Sequence, residues 1–187
     1  LISACSHQPL VQDTKPIEPR VASPVVPVLD QWQPEQSSAD ENADLWQRII
    51  NAYGFNQDID NPRVRAQLNW YKKHQAYMDR MATRAERYMY YIAEQIDVRD
   101  IPGELALLPI VESAFDPFAY SHGRASGVWQ FIPSTGRDFG LNQDWWSDGR
   151  RDISASTIAA LTYLEALQRE FKGDWLLALA SYNTGAG

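Results

Sequence analysis

Glu112 is the residue of this sequence best placed to move a proton. It closes the run IPGELALLPIVE, residues 101 to 112. Pro102 at N1 with Glu104 at N3 predicts a helix start, and Leu105, Leu107, Leu108, Ile110 and Val111 leave it almost no polar face. The pattern predicts a helix buried on all sides and kinked at Pro109, whose ring clashes one turn back. A carboxylate at the end of such a rod is disfavoured in its charged form by desolvation and again by the negative end of the helix dipole. Both effects push its pKa upward, as a general acid working near neutral pH requires. A Glu at a helix end, bonded to Ser113 or a backbone amide, is the plain alternative, and this segment taken alone leaves the two open.

Other segments carry polar groups that belong with an acid. Residues 121 to 133, SHGRASGVWQFIP, mix small residues with an aromatic and an amide. Gly123 and Gly127 permit a tight path and close backbone approach to a ligand. Trp129 reads as core or as a platform for stacking sugar. Gln130 lies between Trp129 and Phe131, so its amide needs a partner in apolar surroundings. Tyr182 and Asn183 end the last apolar helix, where Asn and Gly are also ordinary helix-end residues. Asp116, in an Asp-Pro turn signal, reads as a turn residue bonding local backbone rather than as a second catalytic carboxylate.

The elements that must hold these groups are helical. The chain has 187 residues, 44% hydrophobic, which suits one globular domain plus an extension. Leu45, Trp46, Ile49, Ile50 and Tyr53 form a stripe ended by Gly54 as a C′ residue. Asn61 and Pro62 read as N-cap and N1 of a second helix bearing Val64, Leu68 and Tyr71. A third is expected from about Thr83 to Ile96. Asp152 can cap a helix with Ile158, Leu161, Leu164, Leu167 and Phe171, stopping at Lys172 and Gly173, and Asp174 can cap the next, Trp175 to Tyr182. No strand-like alternation of useful length competes, so the class is mainly α.

Composition excludes several functions. Seventeen Lys and Arg against 24 Asp and Glu give a net charge of -7, with no long basic run, so nucleic acid is not an expected partner. No run of about 18 apolar residues predicts a membrane-spanning helix. The single Cys cannot form an internal disulfide, and Cys5, His7, His74 and His122 do not fall at zinc-ligand spacing, so neither a metal nor another cofactor is expected.

Taken together, Glu112-Ser113, the Gly127 to Gln130 segment and Tyr182-Asn183 resemble the three catalytic motifs of the family 1 lytic transglycosylases. The likeness is closest to the D branch of the membrane-bound members, through residues 86 to 93, 101 to 140 and 173 to 177. It implies a lysozyme-like (goose-type/SLT) helical domain over residues 84–187, behind a helical extension over residues 40–83. It also implies cleavage of peptidoglycan glycan strands between N-acetylmuramic acid and N-acetylglucosamine. By the resemblance, Glu112 protonates the glycosidic oxygen and then takes the proton of the muramic acid C6 hydroxyl, so that a 1,6-anhydro ring closes without water. Ser121 would contact the substrate acetamido region, Gln130 and Asn183 would line subsites, and Tyr182 would lie beside the acid. Ser113, counted with the substrate-binding residues, would chiefly orient backbone and Glu112. A hydrolytic muramidase on the same scaffold, or a silent cell-wall binding protein, are the alternatives. Val128-Trp129 stands where many members have Leu-Met, and Ser181 replaces a common Ala.

The opening of the chain suggests an anchor. Leu1-Ile2-Ser3-Ala4-Cys5 resembles the end of a bacterial lipoprotein signal, which would make Cys5 the site of lipidation and the membrane a partner through that lipid. Ser6 resembles the sorting pattern of outer-membrane lipoproteins, facing the periplasm. Pro9, Pro16, Pro19, Pro24, Pro27 and Pro34 fall before the first glycine, Gly54, so residues 6–39 read as a disordered, extended tether. Because the family continues past its third motif into further helices, and this branch into LysM-type glycan-binding repeats, the sequence reads either as a fragment or as a chain that lost those parts.

Overall fold

The computed structural model describes residues 45–184. The expectations for Cys5, Ser6 and the Pro-rich stretch lie outside them. Among the described residues the architecture is helical, with isolated β-bridges in place of strands. The helices are α1 (Leu45–Asn51), α2 (Pro62–Lys73), α3 (Gln75–Ala85), α4 (Met89–Arg99), α5 (Leu108–Ser113), α6 (Pro133–Asp138), α7 (Ile153–Glu170) and α8 (Trp175–Thr184). Two short 3-10 turns, Gly103–Leu107 and Gly149–Arg151, precede α5 and α7.

The caps fall where the side chains foretell them. Asn61 accepts the N–H of Arg63 at the head of α2, Asp152 that of Ala155 on α7, and Asp174 those of Leu176 and Leu177 on α8. Each satisfies a donor that the first helical turn leaves unpaired. The 18-residue α7 is the central element, with Ala159, Ala160, Leu161, Leu164 and Leu167 buried along it. α4 and α8 pack against it. At its C-terminal end Lys172 and Gly173 turn left-handed, at φ 54° and 98°, to release the chain into α8.

Several expectations are corrected. Residues 83 to 96 are not one helix: α3 ends at Ala85 and α4 starts at Met89. Gly54 is not the C′ residue of α1, which ends at Asn51; its N–H donates instead to Glu104 at 2.9 Å. Glu104 does not open a long helix. Its carboxylate also accepts from the Phe55 N–H at 2.9 Å and the Gln57 amide at 2.8 Å, pinning the end of α1 to the first 3-10 turn. Gly103 fits this junction because a Cβ there would press on the backbone of Ile49 and Ala52.

The expected rod from 101 to 112 is two pieces. Pro109 is not a kink but lies in the first turn of α5, where its missing N–H costs no hydrogen bond. Splitting the segment turns its apolar residues to different sides. Leu105 is 1% and Val111 73% exposed, so the run is not buried all round.

Candidate active site

α5 is short, and a reversal of the chain just beyond it fixes where Glu112 points. Ala114 and Phe115 take left-handed backbone, at φ 51° and 56°, with their N–H groups bonded back to Ile110 and Pro109 carbonyls at 3.1 and 3.2 Å. Non-glycine residues in this region each cost about 1–2 kcal/mol. Phe115, fully buried, supplies the packing that holds the reversal. Asp116 then accepts the N–H of Phe118 at 3.0 Å and pairs with Arg84 at 3.4 Å, a turn residue as the Asp-Pro signal foretells.

The next segment is a compact loop. Ser121 and Ala125 bond through backbone at 2.9 Å, Ser126 donates to Phe131 at 3.0 Å, and Gly127 donates to Ala119 at 3.1 Å. Gly127 has φ 82°, and a Cβ on it would overlap the Arg150 carbonyl. Arg150 braces the loop from behind. Its buried guanidinium donates to the carbonyls of Arg124 at 2.7 Å and Phe131 at 3.0 Å, and grips Asp148 through Nε at 2.8 Å and Nη2 at 2.7 Å. That grip holds the Asp148 carboxyl below its ordinary range. Trp129 resolves as core: it is fully buried, and its indole N–H donates to Thr157 on α7 at 3.0 Å.

Between α5, this loop, α7 and the end of α8 lies a groove of about 330 Å³. Glu112, Ser121, Gln130, Tyr182 and Asn183 all line it. Ser113 does not; its hydroxyl donates toward the carbonyls of Val128 at 3.0 Å and Pro109 at 3.2 Å, stitching α5 to the loop. Ser121 places its hydroxyl oxygen on the Ala125 N–H at 3.0 Å. Gln130, at φ 50°, commits its amide NH2 to the Gly127 carbonyl at 2.8 Å, which leaves its side-chain carbonyl as the end to meet a donor on a ligand.

The electrostatics single out Glu112. Burial raises its carboxyl above the ordinary range. Tyr182 donates to the Trp129 carbonyl at 2.7 Å and is held well above the usual phenol range, first by burial, then by the negative charge of Glu112 and by Tyr163. It therefore remains a neutral donor beside the acid. Among the described residues lining the groove, Glu112 is the one carboxylate.

Sequence reasoning missed part of this wall. Tyr163 and Thr135 also line the groove. The Tyr163 ring sits 5.4 Å from that of Tyr182 and 4.8 Å from that of Phe139. Tyr163 falls between Leu161 and Leu164 on α7, where helical spacing gives no sign that one aromatic edge reaches a cavity.

Comparison with known proteins shows the family. Residues 89–187 match the Transglycosylase SLT domain family. The chain is 47% identical over 156 residues to the membrane-bound lytic murein transglycosylase D of Escherichia coli, a match covering 83% of this chain and 34% of that protein. It is 43% identical over 121 residues to a protein of an Alteromonas species named for tributyltin chloride resistance, covering 65% and 54%. It is 30% identical over 118 residues to the membrane-bound lytic murein transglycosylase F of Desulfosudis oleivorans, covering 59% and 25%. The chain thus spans about a third of the length of the E. coli relative.

Proposed function

Because this chain belongs to the transglycosylase SLT family, we propose that its groove cleaves peptidoglycan glycan strands between N-acetylmuramic acid and N-acetylglucosamine without consuming water. The observation that carries the reading is Glu112: a carboxyl raised by burial, in a groove whose described lining holds no other carboxylate. Hydrolysis by the usual route uses a pair of carboxyl groups, one as acid and the other as base or nucleophile. A single carboxyl must serve both halves of the reaction.

In the first half, neutral Glu112 gives its proton to the glycosidic oxygen and the C1–O bond breaks, leaving a carboxylate and an oxocarbenium-like centre. The substrate's own acetamido oxygen stabilises that centre. In the second half the carboxylate takes the proton of the C6 hydroxyl as its oxygen bonds to C1. The products are a 1,6-anhydromuramic end and a free 4-hydroxyl, and Glu112 is again protonated. Ser121 orients the acetamido group, Gln130 and Asn183 hold the sugar hydroxyls, and Tyr182, neutral and bonded to the Trp129 carbonyl, lies beside Glu112. Ser113 acts through backbone. The relatives are named membrane-bound, and a lipid on Cys5 with a Pro-rich spacer would hold this catalytic domain at the bacterial envelope, as an outer-membrane lipoprotein facing the periplasm.

Digestion of purified sacculi followed by mass spectrometry tests the chemistry. Anhydromuropeptides, lighter by one water than hydrolytic products, are expected, and Glu112→Gln should abolish them while retaining binding to sacculi. Reducing-end muropeptides in their place would establish a muramidase. Unchanged turnover in Glu112→Gln would remove the acid from the scheme.

A further inference from the structure

Trp145 and Trp146 are each 79% exposed, the highest fraction among the described large apolar side chains, and neither lines the groove. Indoles are costly to leave in water, since each can bury about 150–250 Å². The turn that carries them is held by hydrogen bonds. The Asp144 carboxylate accepts the N–H groups of Trp146 at 2.8 Å and Ser147 at 2.7 Å and the Ser147 hydroxyl at 3.1 Å, and the Asp144 N–H closes onto the Ser147 carbonyl at 2.9 Å. A turn so fixed forfeits little entropy when something settles on it.

Its mounting is shared with the groove. The Gln143 side chain donates to the Pro133 carbonyl at 3.0 Å, at the first residue of α6, and α6 carries the groove-lining Thr135. On the other side Gly149 donates to the Asn142 carbonyl at 2.8 Å, directly before the buried Arg150 that braces the catalytic loop.

We infer that Trp145 and Trp146 form an outlying glycan-stacking site for N-acetylhexosamine rings of the same strand whose scissile bond lies in the groove. The indole centroids are 3.6 Å apart with planes 35° apart, so each ring spends one face on its neighbour and turns the other to solvent. Such flat apolar faces match the C–H face of a pyranose, and the exposed Asn142, Asp144 and Ser147 supply polar groups for hydroxyls and acetamides. An anionic lipid surface fits less well: the turn's own charges, Asp144 and Asp148, are acidic, and Arg150 is committed to Asp148 and to backbone carbonyls. The inference rests on the reading of the groove as a glycan cleft and extends it to strand length.

The test uses the Glu112→Gln chain, so that strands stay intact, with and without Trp145→Ala/Trp146→Ala. Its probes are purified sacculi, a hexamer and a dimer of N-acetylglucosamine, and phosphatidylglycerol vesicles. Expected is a roughly tenfold weaker hold on sacculi and hexamer, the factor that about 1.4 kcal/mol represents, with the dimer unaffected. Trp145→Phe/Trp146→Phe should recover most of the loss, and an unchanged unfolding midpoint shows that the fold is intact. Equal retention by both chains overturns the inference, as does a loss confined to vesicles. If the unsubstituted chain makes no anhydromuropeptides while retention on sacculi still depends on the tryptophans, the catalytic reading fails and this one stands.

Discussion

Replacing Arg150 by Met tests whether the catalytic loop is braced from behind. Met keeps much of the aliphatic stem but removes the guanidinium bonds to Asp148 and to the carbonyls of Arg124 and Phe131. The side chains of the pair are 7% and 21% exposed, so Asp148 would be left a mostly buried carboxylate without its cation. Breaking one partner of a buried pair costs about 3–5 kcal/mol. The Phe131 carbonyl, inside the core, adds a penalty of about 1–3 kcal/mol unless it relaxes. These effects share the same atoms and do not sum, so the expected loss is about 3–5 kcal/mol. At about 2–4 °C per kcal/mol for a domain of this size, the midpoint should fall by about 6–20 °C. Urea and thermal unfolding followed by circular dichroism read both quantities. Because Ala125, Gln130 and Phe131 line the groove, kcat/KM on sacculi should fall even where the variant remains folded. Adding Asp148→Asn should restore part of the stability by discharging the orphaned carboxylate. A loss under about 1 kcal/mol, or no recovery in the double variant, would refute the brace.

Gly127→Ala should be at least as damaging to the site, since φ 82° is unfavourable for any side chain and the new methyl would overlap the Arg150 carbonyl; a combined cost above about 2 kcal/mol in urea unfolding is expected, and a neutral variant would contradict the packing. The raised carboxyl of Glu112 sets the pH behaviour. Its acid form is lost as pH rises through the folded-state pKa, so kcat/KM should fall about tenfold per pH unit on that limb. Stability follows the same sign: with the folded pKa above the unfolded one, the contribution of the neutral carboxyl is complete below the unfolded pKa and lost as pH rises through the folded value. Glu112→Gln should therefore gain stability relative to the unsubstituted chain from acid to neutral pH, and a gap that stays constant or shrinks would place the carboxyl in water.

What could be read in the sequence was local. Asn61, Asp152 and Asp174 announce their helices because an N-cap bonds a donor two or three residues on, within reach of inspection. The pKa direction of Glu112 was legible from its apolar neighbours, since burial is what raises it. The run 101 to 112 misled because an apolar period is shared by one long helix and by a 3-10 turn leading into a short one; what divides them is Gly103 against Ile49 and Ala52, a contact about 50 residues away in sequence. Arg150 was invisible as a site residue for the same reason. Its partners Arg124 and Phe131 lie 26 and 19 residues away.

The long-range contacts bear on chemistry through backbone strain. Ala114, Phe115 and Gln130 hold left-handed conformations at φ 51°, 56° and 50°, which side chains rarely adopt. Isolated peptides of those segments would relax, since each such residue costs about 1–2 kcal/mol. Here the first two positions are held by the burial of Phe115 and the third by the bond from the Gln130 amide to Gly127. What the strain achieves is direction: the reversal after α5 leaves Glu112 at the groove instead of continuing the helix past it, and the reversal at Gln130 sets its amide on the same groove while Trp129 and Phe131 stay buried. A carboxyl near enough to apolar packing to stay neutral, yet open enough to reach an oxygen of a polymer, sits at the edge of a core. The last turn of α5 brings it to that edge, and the reversal at Ala114 and Phe115 keeps the chain from covering it. The loop held by Arg150 supplies the other side of that edge.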